Sequence, residues 1–190
     1  MGYIVGDVII ISTNVLFKGE VHMRLIHLSD LHIGKRVNEF SMLEDQEYIL
    51  KEILGIIDDE QPDGVIIAGD VYDKSVPSEE AVKLLDSFLT SLAKRKLQVY
   101  IISGNHDSAA KLAFASSLID LSGIHISPVY DSAHIAMMGD GLVRPYKLED
   151  GKGQLANIYM LPFVKPAMVR AVFPDEADDI KDYTDACRVA

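Results

Sequence analysis

The sequence predicts an α/β fold built on a parallel sheet. Three observations carry that prediction. Short apolar runs recur at residues 25–28, 65–68 and 99–102, and stretches with apolar residues at helical spacing separate them. Each run also ends in a string of potential ligands: Asp30-Leu31-His32, Gly69-Asp70-Val71-Tyr72-Asp73 and Gly104-Asn105-His106-Asp107. Continuous apolar strands between amphipathic helices belong to a sheet covered on both faces. A chain of 190 residues is long enough for one domain with its own core.

The elements follow in order. Leu25 to Leu28 is the first buried strand and stops at Ser29-Asp30. A helix is predicted from Met42 to Glu60, because Ser41 and Glu44 form an S-x-x-E capping box and Leu50, Ile53, Leu54 and Ile57 recur on one face. Gln61-Pro62-Asp63-Gly64 ends it. Val65 to Ala68 is the second strand. Pro77-Ser78-Glu79-Glu80 opens a second helix, with Ala81, Leu85, Phe88 and Leu92 on its inner face. Val99 to Ile102 is the third strand, Ala109 to Leu121 a third helix and Ile124 to Ile126 a short strand. Beyond Val129 the pattern turns antiparallel, with strands at Ala133 to Val143 and Ile158 to Phe163. Turns fall at Gly139-Asp140-Gly141 and Asp150-Gly151-Lys152-Gly153, and Asp178 to Val189 reads as the beginning of a helix.

Apolar residues make up 48% and charged residues 25%, the balance of an ordinary globular chain. The single Cys187 cannot pair within the chain, which suits a reduced, cytoplasmic setting. The net charge of −11 argues against a surface that grips nucleic acid all over, since phosphate neutralisation needs clustered Lys and Arg. Lys35-Arg36 and Lys94-Arg95-Lys96 are local basic spots, the second placed to complement a helix C-terminus.

Residues 1–22 stand apart. Tyr3 to Phe17 is apolar, but Asp7 interrupts it and no basic residue precedes Lys18, unlike a signal peptide. It is also too short and polar to span a membrane. Lys18-Gly19-Glu20-Val21-His22 before Met23 is a stretch that translation of a purine-rich ribosome-binding site can produce. The expectation is a native start at Met23, a non-native leader over 1–22 and the domain over 23–190. The alternative is an extra edge strand from Val8 to Ile11.

In open α/β sheets, ligands gather at the carboxyl ends of the strands, where all three motifs sit. Asp30 and His32 are two apart, so an extended segment can point both the same way. Asp70 ends the next strand and can bridge two metals. Asn105 offers a neutral amide oxygen. Mixed oxygen and imidazole ligands favour Mn, Fe or Zn over Ca or Mg. Two such ions about 3.5–4 Å apart clamp the attacking and leaving oxygens of a phosphoryl group, and lower the pKa of bound water from about 15.7 towards 7. His106 is placed to protonate a leaving alkoxide, and Asp73 to hold its imidazole. Each motif alone is weak: Gly-Asp after a strand is often a turn, and Asp107 can serve as a helix N-cap. Three of them ending successive strands is harder to explain away.

These strings resemble the calcineurin-like metallophosphoesterases, with their D-x-H, G-D-x-x-D and G-N-H-(D/E) signature. The text around them is similar to the SbcD-type DNA exonuclease subunits: residues 26–35, residues 68–73, and Tyr159-Met160-Leu161-Pro162-Phe163-Val164. Lys74 and Ser75 stand where phosphoprotein phosphatases carry Arg and Gly. The resemblance covers Met23 to Ala190. It implies two facing mixed β-sheets flanked by helices, and a manganese-dependent nuclease acting on DNA ends. It also implies an SbcC-type coiled-coil ATPase partner and a homodimer. Carried over, Asp30, His32, Asp70 and Asn105 are metal ligands, with Asp70 bridging. His106 is the catalytic acid and Asp73 its support. His27 matches a family position, where a satisfied core or outer histidine is expected.

The family completes its site with later histidines, including a G-H-x-H pair. This chain has six histidines, at 22, 27, 32, 106, 125 and 134. His125 and His134 lack the right context and read as surface or loop residues. The expectation is therefore the N-terminal part of a phosphoesterase domain, with weakened cation binding and little nuclease activity alone, and with apolar surface that favours self-association. Two alternatives remain: a phosphoesterase acting on a phosphomonoester or cyclic nucleotide, and a non-catalytic dimerisation module.

Overall fold

The computed structural model describes residues 2–5, 8–17, 20–114, 116–130 and 145–190, and for 2–22 and 117 the backbone alone. A sheet of six strands runs through the described residues in the order β1-β2-β3-β6-β7-β8. Its parallel centre consists of β3 (Glu20–Ser29), β6 (Gly64–Ala68), β7 (Gln98–Ile102) and β8 (Ile124–Ser127). The three predicted apolar runs and the strand at Ile124 are those four strands. β1 (Gly2–Val5) and β2 (Val8–Phe17) add antiparallel to β3, and β2 pairs along its whole length, from Ile9 opposite Ser29 to Phe17 opposite Glu20.

The side-chain alternation of the strands sorts the core onto two faces. Ile26, Leu28, Val65, Ile67, Val99 and Ile101 meet the helices α1 (Leu43–Glu60) and α2 (Glu79–Lys94). From α1 come Leu50, Ile53 and Ile57, and from α2 come Ala81, Leu85, Phe88 and Leu92. The opposite face carries Met23, Leu25 and Tyr100. It is covered by Leu148 and Met160 from the region of β9 (Tyr146–Glu149) and β10 (Leu155–Ile158), an antiparallel hairpin turned at Asp150. A separate cluster of Tyr130, Val164, Val169, Ile180 and Ala186 joins α5 (Pro166–Val172) and α6 (Tyr183–Val189). The chain is α/β, as expected.

Several local expectations change. The capping box does not form: Met42 is the N-cap of α1 without a side-chain bond, because Ser41 belongs to a small hairpin of β4 (Arg36–Val37) and β5 (Phe40–Ser41) and pairs with Arg36. At α2 the prediction holds, with the Ser78 hydroxyl accepting from the Ala81 N–H. Arg95 does more than complement the α2 dipole, since its guanidinium grips both oxygens of Asp58 at 2.7 Å and ties the ends of α1 and α2. The helix expected over Ala109 to Leu121 is two short ones, α3 (Ala109–Leu112) and α4 (Ser116–Asp120). Between them the bonding shifts to i to i−3, from Phe114 N–H to Lys111 O and from Ser116 N–H to Ala113 O.

The strand expected from Ile158 to Phe163 stops at Ile158. Beyond it the chain runs across the strand ends, held by Phe163 N–H to Ser103 O and by the Ser127 hydroxyl to Met160 O. The last helix begins at Tyr183 rather than Asp178, capped by Asp182. The strand predicted over Ala133 to Val143, the turn at Gly139 and His134 lie outside the described residues.

Candidate metal centre

The site forms where β3, β6 and β7 end. Three potential ligands there, Asp30, His32 and Asp70, adopt left-handed backbone conformations, with φ of 58°, 42° and 49°. Such conformations cost non-glycine residues on the order of 1–3 kcal/mol each and persist where surrounding bonds over-determine them. Those bonds are present. Asp30 N–H reaches Gly69 O, His32 N–H reaches Asp70 O and Ile33 N–H reaches Val71 O, so the first two motifs zip together through their main chains.

Asp107 fastens the second motif to the third. One carboxylate oxygen accepts from Val71 N–H at 3.1 Å and Gly104 N–H at 2.9 Å, and the other from Tyr72 N–H at 3.0 Å. It is therefore a clasp between two loops rather than a helix cap; Ser108 occupies the N-cap of α3. Burial, together with the negative charges of Asp107 and Asp86, pushes the Tyr72 phenol up to about 12, so it stays protonated beside the site.

The ligand atoms of Asp30, His32 and Asp70 lie within 4.8 Å of one another. His32 Nε2 stands 3.8 Å from Asp30 Oδ1 and 3.8 Å from Asp70 Oδ2, too far for hydrogen bonds. Two carboxylates this close repel by roughly 3 kcal/mol at an effective dielectric of about 20. A cation among the three groups removes that penalty. Two carboxylate oxygens and an imidazole nitrogen form the donor set of a borderline divalent ion, so the residues fit a metal.

The other predicted residues are nearby but differently engaged. Asn105 lines a cavity of about 380 Å³ together with Asp30, Asp70 and the segment Leu161 to Val164. His106 is exposed, with its ring edge-on to that of His32 at a centroid distance of 5.5 Å. Asp73 uses its N–H on Ile33 O, and among the described residues no hydrogen bond or ion pair joins its carboxylate to His106. His27 is half-buried, and among the described residues its Nδ1 has no hydrogen-bond partner, contrary to a satisfied core histidine.

His125 is not a surface or loop residue. It lies on β8 in a triangle of rings with Tyr100 and Tyr146, whose centroids are 5.3 and 4.2 Å away and 6.0 Å from each other, and its ring nitrogens meet Asp120 and Gln98. Gln46, on the first turn of α1, is a further residue at the site. Its amide bonds the backbone of Leu31, His32 and Gly34. No motif marks it; only its place on the face of α1 turned towards the first loop could have found it.

The α/β sheet thus gathers two carboxylates and an imidazole at the ends of adjacent parallel strands, the donor set of a divalent-metal site. Residues 23–181 match the calcineurin-like phosphoesterase family, and the chain belongs to it. Over 105 residues it is 40% identical to the SbcD component of the nuclease SbcCD from Staphylococcus epidermidis. That stretch is 55% of this chain and 28% of the relative, so the chain matches little more than a quarter of that protein's length.

Proposed function

We propose that this chain carries the cation-binding part of a nuclease that hydrolyses phosphodiester bonds at DNA ends, in repair and recombination. The observation that carries the reading is the convergence of Asp30, His32 and Asp70 at the ends of two adjacent parallel strands. The likeness to a protein named as part of a nuclease supports the substrate class.

Asp30, His32 and Asp70 would hold one divalent ion, and Asp70 with Asn105 would face a second. Manganese suits the mixed donors. The bound ions would supply positive charge against the phosphate and activate water. His106, exposed at the mouth of the site, is suited to give a proton to the leaving oxygen. A side-chain rotation that brings Asp73 to its ring would fix the imidazole's tautomer and orientation.

The net charge of −11 leaves DNA attraction to the bound cations and to a partner. An SbcC-type ATPase with a long coiled coil is the proposed partner, acting in the cytoplasm on a homodimer of nuclease subunits. No helix of the described residues is long and apolar enough to cross a membrane.

The test supplies the protein and an SbcC-type ATPase with Mn²⁺ and linear duplex DNA, beside a chromogenic phosphomonoester and a cyclic nucleotide. DNA shortened from its ends, with the small esters left intact, supports the reading. Turnover of a small ester with DNA untouched overturns it in favour of a different phosphoesterase.

A further inference from the structure

We propose that Gln46 is a positioning residue for cation binding: its carboxamide holds the Asp30–His32 turn in the left-handed shape that aims both side chains at one ion. The proposal rests on the metal reading above.

The geometry is specific to an amide. Gln46 Oε1 accepts from Gly34 N–H at 2.9 Å, while its Nε2 donates to His32 O at 2.8 Å and to Leu31 O at 3.2 Å. One side chain thus satisfies a donor and two acceptors of the same turn. A carboxylate has no donor for the two carbonyls, and an aliphatic chain of the same volume has neither function.

The turn needs such a clasp. Asp30 and His32 have φ of 58° and 42°, and Gly34 follows at 90°. Three unfavourable or glycine-type conformations in five residues will not persist on propensity alone. The base of the clasp is firm. Gln46 sits in the first turn of α1, its N–H bonded to Met42 O, while Met42 N–H bonds Lys35 O and Lys35 N–H bonds His32 O. The rest of α1 is anchored by buried Leu50, Ile53 and Ile57. Core packing of the helix is thereby transmitted to the two ligands through one amide.

Gln46 itself is half-buried and touches no proposed ligand side chain through a hydrogen bond. Partners that orient metal ligands from outside the coordination shell typically change affinity 10- to 100-fold when removed. Coulomb's law alone predicts that Gln46→Glu, which adds a negative charge beside the site, binds cations more tightly. Loss of the two donated bonds predicts the reverse, so the substitution separates positioning from charge.

The test measures free Mn²⁺ by electron paramagnetic resonance during titration of the whole chain and of Gln46→Leu and Gln46→Glu. The cation-free unfolding midpoint of each is recorded alongside. The expected result is affinity lowered about 10-fold or more in both variants, at temperatures where all three chains are folded. If Gln46→Leu fails to fold, Gln46→Glu alone decides. Wild-type affinity in a folded variant overturns the proposal, as does tighter binding by Gln46→Glu. A wild-type chain that binds no Mn²⁺ overturns the metal reading together with the proposal. Binding by the wild type that the variants retain removes the positioning role alone.

Discussion

The backbone N–H of His106 donates to Oδ1 of Asp70 at 3.1 Å, and this bond divides the work of one carboxylate. Oδ1 is held by the third motif, which leaves Oδ2 facing His32 at 3.8 Å. The chain end of β7 thereby sets the ligand at the end of β6. The approach is close enough that the intervening backbone has no room for a side chain.

That closeness gives the first prediction. A Cβ at Gly104 would collide with the Asp70 carboxylate and with Asp70 N, both fixed parts of the site. Gly104→Ala should lower stability by about 1–3 kcal/mol and turn Asp70 away from His32. Urea unfolding measures the first effect and Mn²⁺ affinity the second. Gly151→Ala, at a turn glycine with open space around it, is the comparison and should change neither appreciably.

Asp107 gives the second. Three backbone N–H groups from two loops converge on its carboxylate. Asp107→Ala leaves all three without that partner, and hydrogen bonds to charged groups contribute about 1.5–3 kcal/mol each when well made. Because water can reach part of this site, the expected loss is on the order of 2–4 kcal/mol. Arg95→Ala breaks only an exposed, solvent-screened pair with Asp58 and should cost clearly less than Asp107→Ala. Equal losses in the two variants by chemical denaturation would contradict the account.

The third concerns alkaline pH. Burial pushes Tyr72 and Tyr100 up to about 12, each also disfavoured as a phenolate by neighbours, Asp107 and Asp86 for the first and Tyr146 for the second. The unfolded chain releases these protons near pH 10. Between about pH 10 and 12 the native state therefore holds more protons than the unfolded one, so stability is full below that window and falls as pH rises through it. Tyr100→Phe should flatten the decline. It should also cost little at neutral pH, since the buried Tyr100 hydroxyl has no hydrogen-bond partner among the described residues to lose. An unchanged alkaline slope in Tyr100→Phe would be evidence against this assignment.

Where the fold was legible in the sequence, a single period decided it. Val65 to Ala68 and Val99 to Ile102 are apolar without interruption, and Leu50, Ile53 and Ile57 repeat at the helical spacing, so those elements were plain. What escaped depends on partners distant in sequence. Ser41 reads as a cap, but its backbone pairs with Arg36 across a turn built on left-handed Asn38 and Glu39. Asp107 reads as a cap, but its partners Val71 and Tyr72 lie 36 and 35 residues earlier. His125 reads as a loop histidine, but β7 and β9 bring two tyrosines against its ring.

The same division holds at the site. Asp30, His32 and Asp70 follow from strand ends, because a parallel sheet must bring those ends together. Gln46 carries no motif, and its role depends on how α1 lies against the turn. The link from Asp73 to His106 follows from acid-base chemistry and from the family resemblance, and among the described residues no hydrogen bond or ion pair joins the two side chains.

The most direct test of the account is a calorimetric titration of Mn²⁺ into the chain and into Asp70→Asn. The chain should bind Mn²⁺, and Asp70→Asn should lose at least about tenfold in affinity, because the substitution removes the charge shared by the cluster. Equal binding by the two chains would mean that the carboxylates at the strand ends do not form a metal centre.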